Sequence, residues 1–337
     1  MSAAPVLVTS PMYQKQEFQM RDFNSYLEKS LIDPFTLDLQ GSSLIDVVLA
    51  CARVKSKLHP NYYKSLAGLL YNLRTLEAEY KVTLVPVQIT DIFWGYFITF
   101  CRQRGLKVSS INTMCSQLKA ILGWAAKYNA TISPTYGDIK LPLPRNQEIA
   151  LSADEVSRIA YFDIDLYYAN RRKDFRKTMH KVRDHFVLSC NLYQRYSDMV
   201  RIEPGCFERN IFKIVQQKTG QTAIVNIDRY SIDAPTTYRI LEKYGYRAPY
   251  NCSIGNYNYY LHELMKDIGF VDEVRYEEWQ NGVIKVVTAP KYKLISSHTA
   301  RRTAITIGVL RGINIHDLKK CSGHSNLQSL DHYIWDD

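Results

Sequence analysis

Residues 298–333 gather side chains whose types could do chemistry together: His298-Thr299-Ala300-Arg301, then Gly323-His324, then Tyr333 nine residues beyond that histidine. An imidazole moves a proton near neutral pH. A guanidinium grips a phosphate or carboxylate through paired hydrogen bonds. A phenol becomes a nucleophile when a neighbour takes its proton. On a helix, His298 and Arg301 lie one turn apart on a shared face. Such a pair arises often by chance, and Tyr333 is one of 25 tyrosines, so the weight rests on the ordered set. Other chemistries lack support, since the sequence holds neither a glycine-rich P-loop nor a His-Glu-x-x-His pair.

The elements that must position these groups follow from periodicity. At 337 residues the chain is long enough for two domains. Residues 1–41, with Pro5, Pro11 and Pro34, read as an irregular arm. Residues 42–130 read as a bundle of four helices. Leu44, Val47, Val48 and Cys51 mark the first, and Leu66, Leu69, Leu70, Leu73 and Leu76 the second. Thr90-Asp91 opens a third that stops near Gly105, and Ser109 or Ser110 caps a fourth. A proline-containing linker, 131–150, leads to a second domain, 151–337, which opens on a Ser152/Glu155 capping box. Within it, Val182 to Val200 reads as helix. Ile211–Val215 and Thr222–Ile227 read as a hairpin turning at Lys218-Thr219-Gly220-Gln221. Residues 235–270 return to helix, Ile284–Val287 is a short strand, and His298–Ile334 is helical. The fold class is mainly α with a small β-sheet.

Composition narrows the partners. Hydrophobic residues make up 46% and charged residues 23%, which excludes a wholly disordered chain. No apolar run reaches a bilayer-spanning length and no signal peptide opens the chain, so the expectation is a cytoplasmic protein with no membrane partner. Lys and Arg exceed Asp and Glu by 43 to 33, a net charge of +10, and this attracts polyanions, nucleic acid first. Candidate DNA-contacting cations are Lys55, Lys57, Lys64 and Lys119 in the bundle, with Arg172, Lys173 and Arg176 in the second domain. The seven cysteines form no C-x-x-C pair, so no zinc site or disulfide framework is indicated.

The ordered set resembles the tyrosine recombinases, the phage-integrase-like family, over nearly the whole chain. Leu192-Tyr193-Gln194-Arg195-Tyr196-Ser197-Asp198 is similar to the segment bearing that family's first arginine, with Asp198 at its acidic position. Lys218 sits in a hairpin turn, where the family carries its catalytic lysine. Ser297 to Thr303 resembles the His-x-x-Arg box, Ser322-Gly323-His324-Ser325 the Gly-His box, and Asp331-His332-Tyr333-Ile334 the nucleophile segment. The bundle resembles the family's helical core-binding (SAM-like) domain, and the second domain its mixed α/β catalytic domain.

The resemblance implies a site-specific recombinase that cleaves and rejoins duplex DNA through a 3′-phosphotyrosyl intermediate. Arg195 and Arg301 would clamp the phosphate, Tyr333 would attack, His298 would take its proton, Lys218 would protonate the leaving oxygen, and His324 would donate to the non-bridging oxygens. No cofactor is implied, neither metal nor ATP. The implied partners are double-stranded DNA, a homotetramer on paired sites, and accessory DNA-bending proteins, in a bacterial or phage-type cytoplasm at the nucleoid. Two alternatives remain open: a DNA-binding protein of this fold without cleavage, and a type IB topoisomerase-like enzyme. The sequence departs from the family where its usual glycine precedes the first arginine, for Tyr193-Gln194 stands there.

Overall fold

Four amphipathic helices with leucine and aromatic stripes build the first unit of the computed structural model, which describes residues 37–58, 62–137, 149–280, 283–328 and 330. They are α1 (Leu44–Leu58), α2 (Tyr62–Tyr80), α3 (Asp91–Gln103) and α4 (Val108–Ala125). Leu66, Leu69, Leu70 and Leu73 are buried at helical spacing, and so are Phe93, Trp94 and Phe97. Thr90 caps α3 by accepting a hydrogen bond from the Phe93 amide. The fourth helix starts earlier than its serines suggest: its N-cap is Lys107, and Ser109 and Ser110 lie inside the first turn. Residues flanking the bundle also belong to it. The Leu39 amide donates to the Tyr128 carbonyl at 2.9 Å, and the Trp94 indole donates to the Tyr136 carbonyl at 3.1 Å. Residues 1–36 and 138–148, which cover most of the expected arm and part of the expected linker, lie outside the described residues.

The second unit begins after residue 144, apart from the tip of a hairpin at 279–285 that groups outside it. It opens with α5 (Ala153–Ala160) and α6 (Ile164–Tyr167). The Ser152 hydroxyl accepts from the Glu155 amide while the Glu155 carboxylate accepts from the Ser152 amide, so the capping box forms. Next comes α7 (Lys173–Leu192), the central helix, then the short α8 (Tyr196–Met199). The helix expected over 182–200 is broken between them: Tyr193 adopts a left-handed φ of 62° as the C-cap of α7. A three-stranded antiparallel sheet follows, β1 (Phe207–Glu208), β2 (Ile211–Val215) and β3 (Thr222–Asn226). Its pairs Phe212↔Val225 and Ile214↔Ala223 face the core.

Beyond the sheet lie α9 (Ile227–Tyr230), α10 (Ala234–Lys243) and α11 (Ile254–Ile268). The continuous helix expected over 235–270 is therefore two helices, separated where Gly245 and Tyr246 take positive φ. A two-stranded ribbon, β4 (Glu273–Gln280) and β5 (Val283–Pro290), replaces the single short strand expected near 284. It leads through α12 (Lys291–Leu294) to α13 (Ser297–Leu310) and α14 (Ile315–Ser322). Helices α5, α10, α11 and α13 pack around α7. Asp184 on α7 ties in α10: buried, it accepts from Lys243 Nζ at 2.7 Å and Tyr244 Oη at 2.9 Å. Arg183 also contacts it at 2.8 Å, so the carboxylate is fully compensated.

Candidate active site

Three chain segments converge around Arg301. It lies in the second turn of α13, whose start is fixed by a capping box between Ser296 and Thr299. Its guanidinium is only 1% exposed, which demands partners. Nη1 donates to the Tyr193 carbonyl at 3.2 Å, and Nη2 lies 3.1 and 3.3 Å from the two ring nitrogens of His324. The left-handed turn at Tyr193 thus presents its carbonyl to the buried cation. That turn is held by the tyrosine ring, 1% exposed, whose hydroxyl donates to the Tyr230 carbonyl at 2.8 Å. A non-glycine residue in this conformation costs about 1–2 kcal/mol, and burial of a tyrosine ring offsets it.

His324 follows the C-cap of α14. Gly323 there has φ 63°, and a Cβ on it would stand 2.6 Å from the Gln216 side chain, so glycine is required twice over. The Ser322 hydroxyl donates to the Leu318 carbonyl and lies 2.7 Å from His324 Nδ1. Nδ1 thus lies between the Ser322 hydroxyl and Arg301, and both ring nitrogens are within reach of the guanidinium. In this arrangement His324 Nε2 lies 3.1 Å from Arg301 Nη2.

Arg195 is not within a helix, as the reading of 182–200 implied; it is the N-cap of α8. Its Nη1 donates to Gln216 Oε1 at 2.7 Å. Lys218 is exposed at the tip between β2 and β3. The turn beneath it is well bonded: the Gln216 amide donates to the Gln221 carbonyl at 2.9 Å, and the Gly220 amide to the Gln216 carbonyl at 2.9 Å. Asp198 is buried but pairs with Arg201 rather than Arg195, at 2.8 Å, and its same oxygen accepts the Gln217 amide at 2.8 Å.

The charges of these groups act on the two histidines. Loss of water around His298, then the positive charges of Arg302, Arg301, Arg195 and Lys218, hold it down to about 4 although its residue keeps contact with solvent. Burial first, then Arg301, Arg195 and His298, hold His324 down to about 3. Both imidazoles are thus neutral near pH 7, in a field of guanidinium and ammonium charge. Such a field favours an anion, and a phosphate is the anion that paired guanidiniums fit best.

Five of the six predicted site residues, Arg195, Lys218, His298, Arg301 and His324, are brought together. Tyr333 lies outside the described residues. Sequence reasoning missed Gln216, Gln194 and Ser322, which have no chemistry of their own and become visible only as hydrogen-bond partners. The DNA-contact candidates divide. Lys57, Lys64, Arg172 and Lys173 are exposed. Lys119 donates to the Gly137 carbonyl at 2.9 Å, Lys55 lies over the Tyr62 ring at 5.2 Å, and Arg176 is 3.8 Å from Asp165.

No family model and no curated protein matches the sequence. Solved structures do. The integrase of the transposon Tn1549, bound to transposon right end DNA, aligns with a TM-score of 0.60 at 15% identity, over 88% of this chain and 95% of that one. A lambda integrase dimer bound to a core site aligns at 0.60 and 14% identity, over 88% and 98%. A lambda integrase tetramer bound to a Holliday junction aligns at 0.59 and 14% identity, over 94% and 87%. The chain therefore has the fold of the Tn1549 and lambda integrases, the tyrosine recombinase fold that its motifs predict.

Proposed function

We propose that this protein is a site-specific tyrosine recombinase that cleaves and rejoins duplex DNA, in the integration, excision or inversion of a DNA segment. The observation that carries the reading is the convergence of four chain segments: Arg195 and Arg301 both act on the neutral histidines His298 and His324, and Lys218 acts on His298. Solved neighbours of this fold are integrases in complex with DNA, which supports the same partner here.

In this mechanism Arg195 and Arg301 clamp the scissile phosphate and neutralise the charge that grows as phosphorus becomes five-coordinate. The Tyr333 hydroxyl attacks phosphorus, forming the Tyr–O–P bond and breaking the bond to the 5′ oxygen. A phenol near pKa ~10 is protonated at neutral pH, so its proton must leave as the bond forms. His298 is unprotonated there, the form a base requires. Lys218 supplies the proton to the departing 5′ oxygen. Rejoining runs the same steps backwards, and the phosphotyrosyl bond conserves the energy of the phosphodiester. His324, which contacts Arg301 in the resting arrangement, would donate to the non-bridging oxygens. Charge neutralisation is assigned to side chains, and cleavage is expected to continue in excess EDTA. Strand exchange would proceed in a homotetramer on paired sites, as in the lambda integrase tetramer on a Holliday junction. Accessory DNA-bending proteins would assist.

The test is a nicked suicide duplex that sheds its 5′-hydroxyl fragment after cleavage. The wild type should form a protein–DNA adduct that survives denaturant, and Tyr333→Phe should form none. No wild-type adduct on its own site would leave a DNA-binding protein of this fold. Relaxation of supercoiled DNA without choice of site would indicate a topoisomerase. An adduct with Tyr333→Phe would overturn the nucleophile.

A further inference from the structure

We infer that Gln216, through Gln194, is a positioning residue for Arg195: a buried amide relay fixes which way the guanidinium points and ties it to the elements carrying His324 and Lys218. The inference rests on the recombinase reading and names a device within that site.

Gln216 is 1% exposed, yet every hydrogen-bonding position of its amide is used. Its Nε2 donates to Gln194 Oε1 at 2.8 Å and to the Ser322 carbonyl at 2.7 Å. Its Oε1 accepts from Arg195 Nη1 at 2.7 Å and from the Thr219 hydroxyl at 3.1 Å. Gln194, wholly buried, donates in turn to the Leu192 carbonyl at 2.6 Å and the Cys321 carbonyl at 3.0 Å.

The direction of this chain has a physical cause. Backbone carbonyls cannot donate, so those of Leu192 and Cys321 force the NH₂ end of Gln194 towards them. Gln194 Oε1 must then face Gln216, whose NH₂ end is turned to it and to the Ser322 carbonyl. Only the Gln216 oxygen remains for Arg195. Three carbonyls thus set the polarity of two side-chain amides, and the relay ends on the guanidinium. A flip of either amide would bring acceptor against acceptor in a buried place.

The relay joins parts that the sequence keeps far apart. Thr219 is the neighbour of Lys218. Ser322 lies two residues before His324, and Gly323 between them leaves the space that the Gln216 side chain occupies. Arg195, the lysine turn and the histidine helix end are therefore tied together through one side chain. Tyr193-Gln194 stands in the region where the family resemblance leads one to expect a glycine, and here Gln194 is the first link of the relay.

The test uses Gln216→Met, which keeps the length and apolar volume of the side chain but neither donates nor accepts at its end. Single-turnover adduct formation on the suicide duplex should fall roughly 10–100-fold, the range for loss of an outer partner of a reactive group. Affinity for the uncleaved site should stay within about twofold, because phosphate and base contacts elsewhere carry binding. The discriminating measurement replaces the scissile phosphate with a neutral methylphosphonate. A defect that acts through the Arg195 charge should shrink on that substrate, in parallel with Arg195→Ala, and the Gln216→Met and Arg195→Lys losses should not add. A defect of equal size on both substrates, or full additivity, would overturn the inference. So would wild-type rates in Gln216→Met. If Gln216→Met does not fold, Gln216→Asn, one methylene too short to reach all four partners, takes its place with the same outcomes. A wild type that makes no adduct with either substrate refutes the recombinase reading instead.

Discussion

His185 puts a number on the cost of acidifying this fold. It is fully buried in α7 between the rings of Tyr196 and Tyr257, each 5.1 Å away centre to centre, and neither ring nitrogen has a hydrogen-bond partner. Burial holds its pKa down to about 3 from an ordinary 6.5. The folded protein therefore keeps His185 neutral at a pH where the unfolded chain takes up a proton, so stability falls as pH drops below 6.5 and goes on falling towards 3. Between about pH 7 and about pH 5, proton uptake by the unfolded state alone is worth about 2 kcal/mol. His298 and His324 contribute in the same window, but they do so equally in a variant that keeps them. His185→Phe preserves the aromatic volume and removes the proton site. Urea unfolding at the two pH values should show that the variant loses about 2 kcal/mol less than the wild type. At neutral pH the variant should be no less stable, since two unpaired buried nitrogens have gone. Parallel losses in the two proteins would refute the assignment.

Three further outcomes follow from the geometry. Gly323→Ala combines a left-handed backbone with a contact of 2.6 Å to Gln216, and should cost about 2–5 kcal/mol in urea unfolding; a cost below about 1 kcal/mol would mean the turn relaxes freely. Arg301→Lys cannot reach both the Tyr193 carbonyl and His324, and should slow single-turnover cleavage roughly 10²–10³-fold; a rate within threefold of wild type would remove Arg301 from the transition state. Cys252 is exposed, and its thiol is held below the ordinary value first by the Asn256 side chain and then by the Ser253 backbone, so it should be the first cysteine alkylated by iodoacetamide. Faster labelling of Cys190, fully buried and pushed up beyond the usual thiol range, would contradict the packing of α7.

Much of this was legible where local rules act alone. The Thr90 cap, the Ser152/Glu155 box and the β2–β3 hairpin each depend on residues within a few positions of one another, and each formed at its expected place. The break after Leu192 was not legible, because a tyrosine in a left-handed turn carries no glycine to announce it; its cause is tertiary, the burial of the ring and the need of Arg301 for a carbonyl. The β4–β5 ribbon does carry a signal in the sequence, Asn281-Gly282 between two alternating stretches, beyond the apolar run at 284–287. The candidate site residues stand out by type and order, whereas the amides bonded to them do not. Gln194 and Gln216 are 22 positions apart, and nothing in either segment states that they meet.

The turn that carries Lys218 has one more implication. Its backbone is fixed on both sides, by the Gln216 side chain, by Asp198 on the Gln217 amide and by the Gly220 bond across the tip. The lysine's own stem is exposed and is held by none of these bonds. The proton donor proposed here is thus an ammonium on a four-carbon tether from a well-bonded turn, and rotamer changes in picoseconds to nanoseconds are open to it. Its local concentration at the departing oxygen is set by the stem length and by where the turn is anchored. A small amine in solution could stand in for it only at concentrations that rival intramolecular ones.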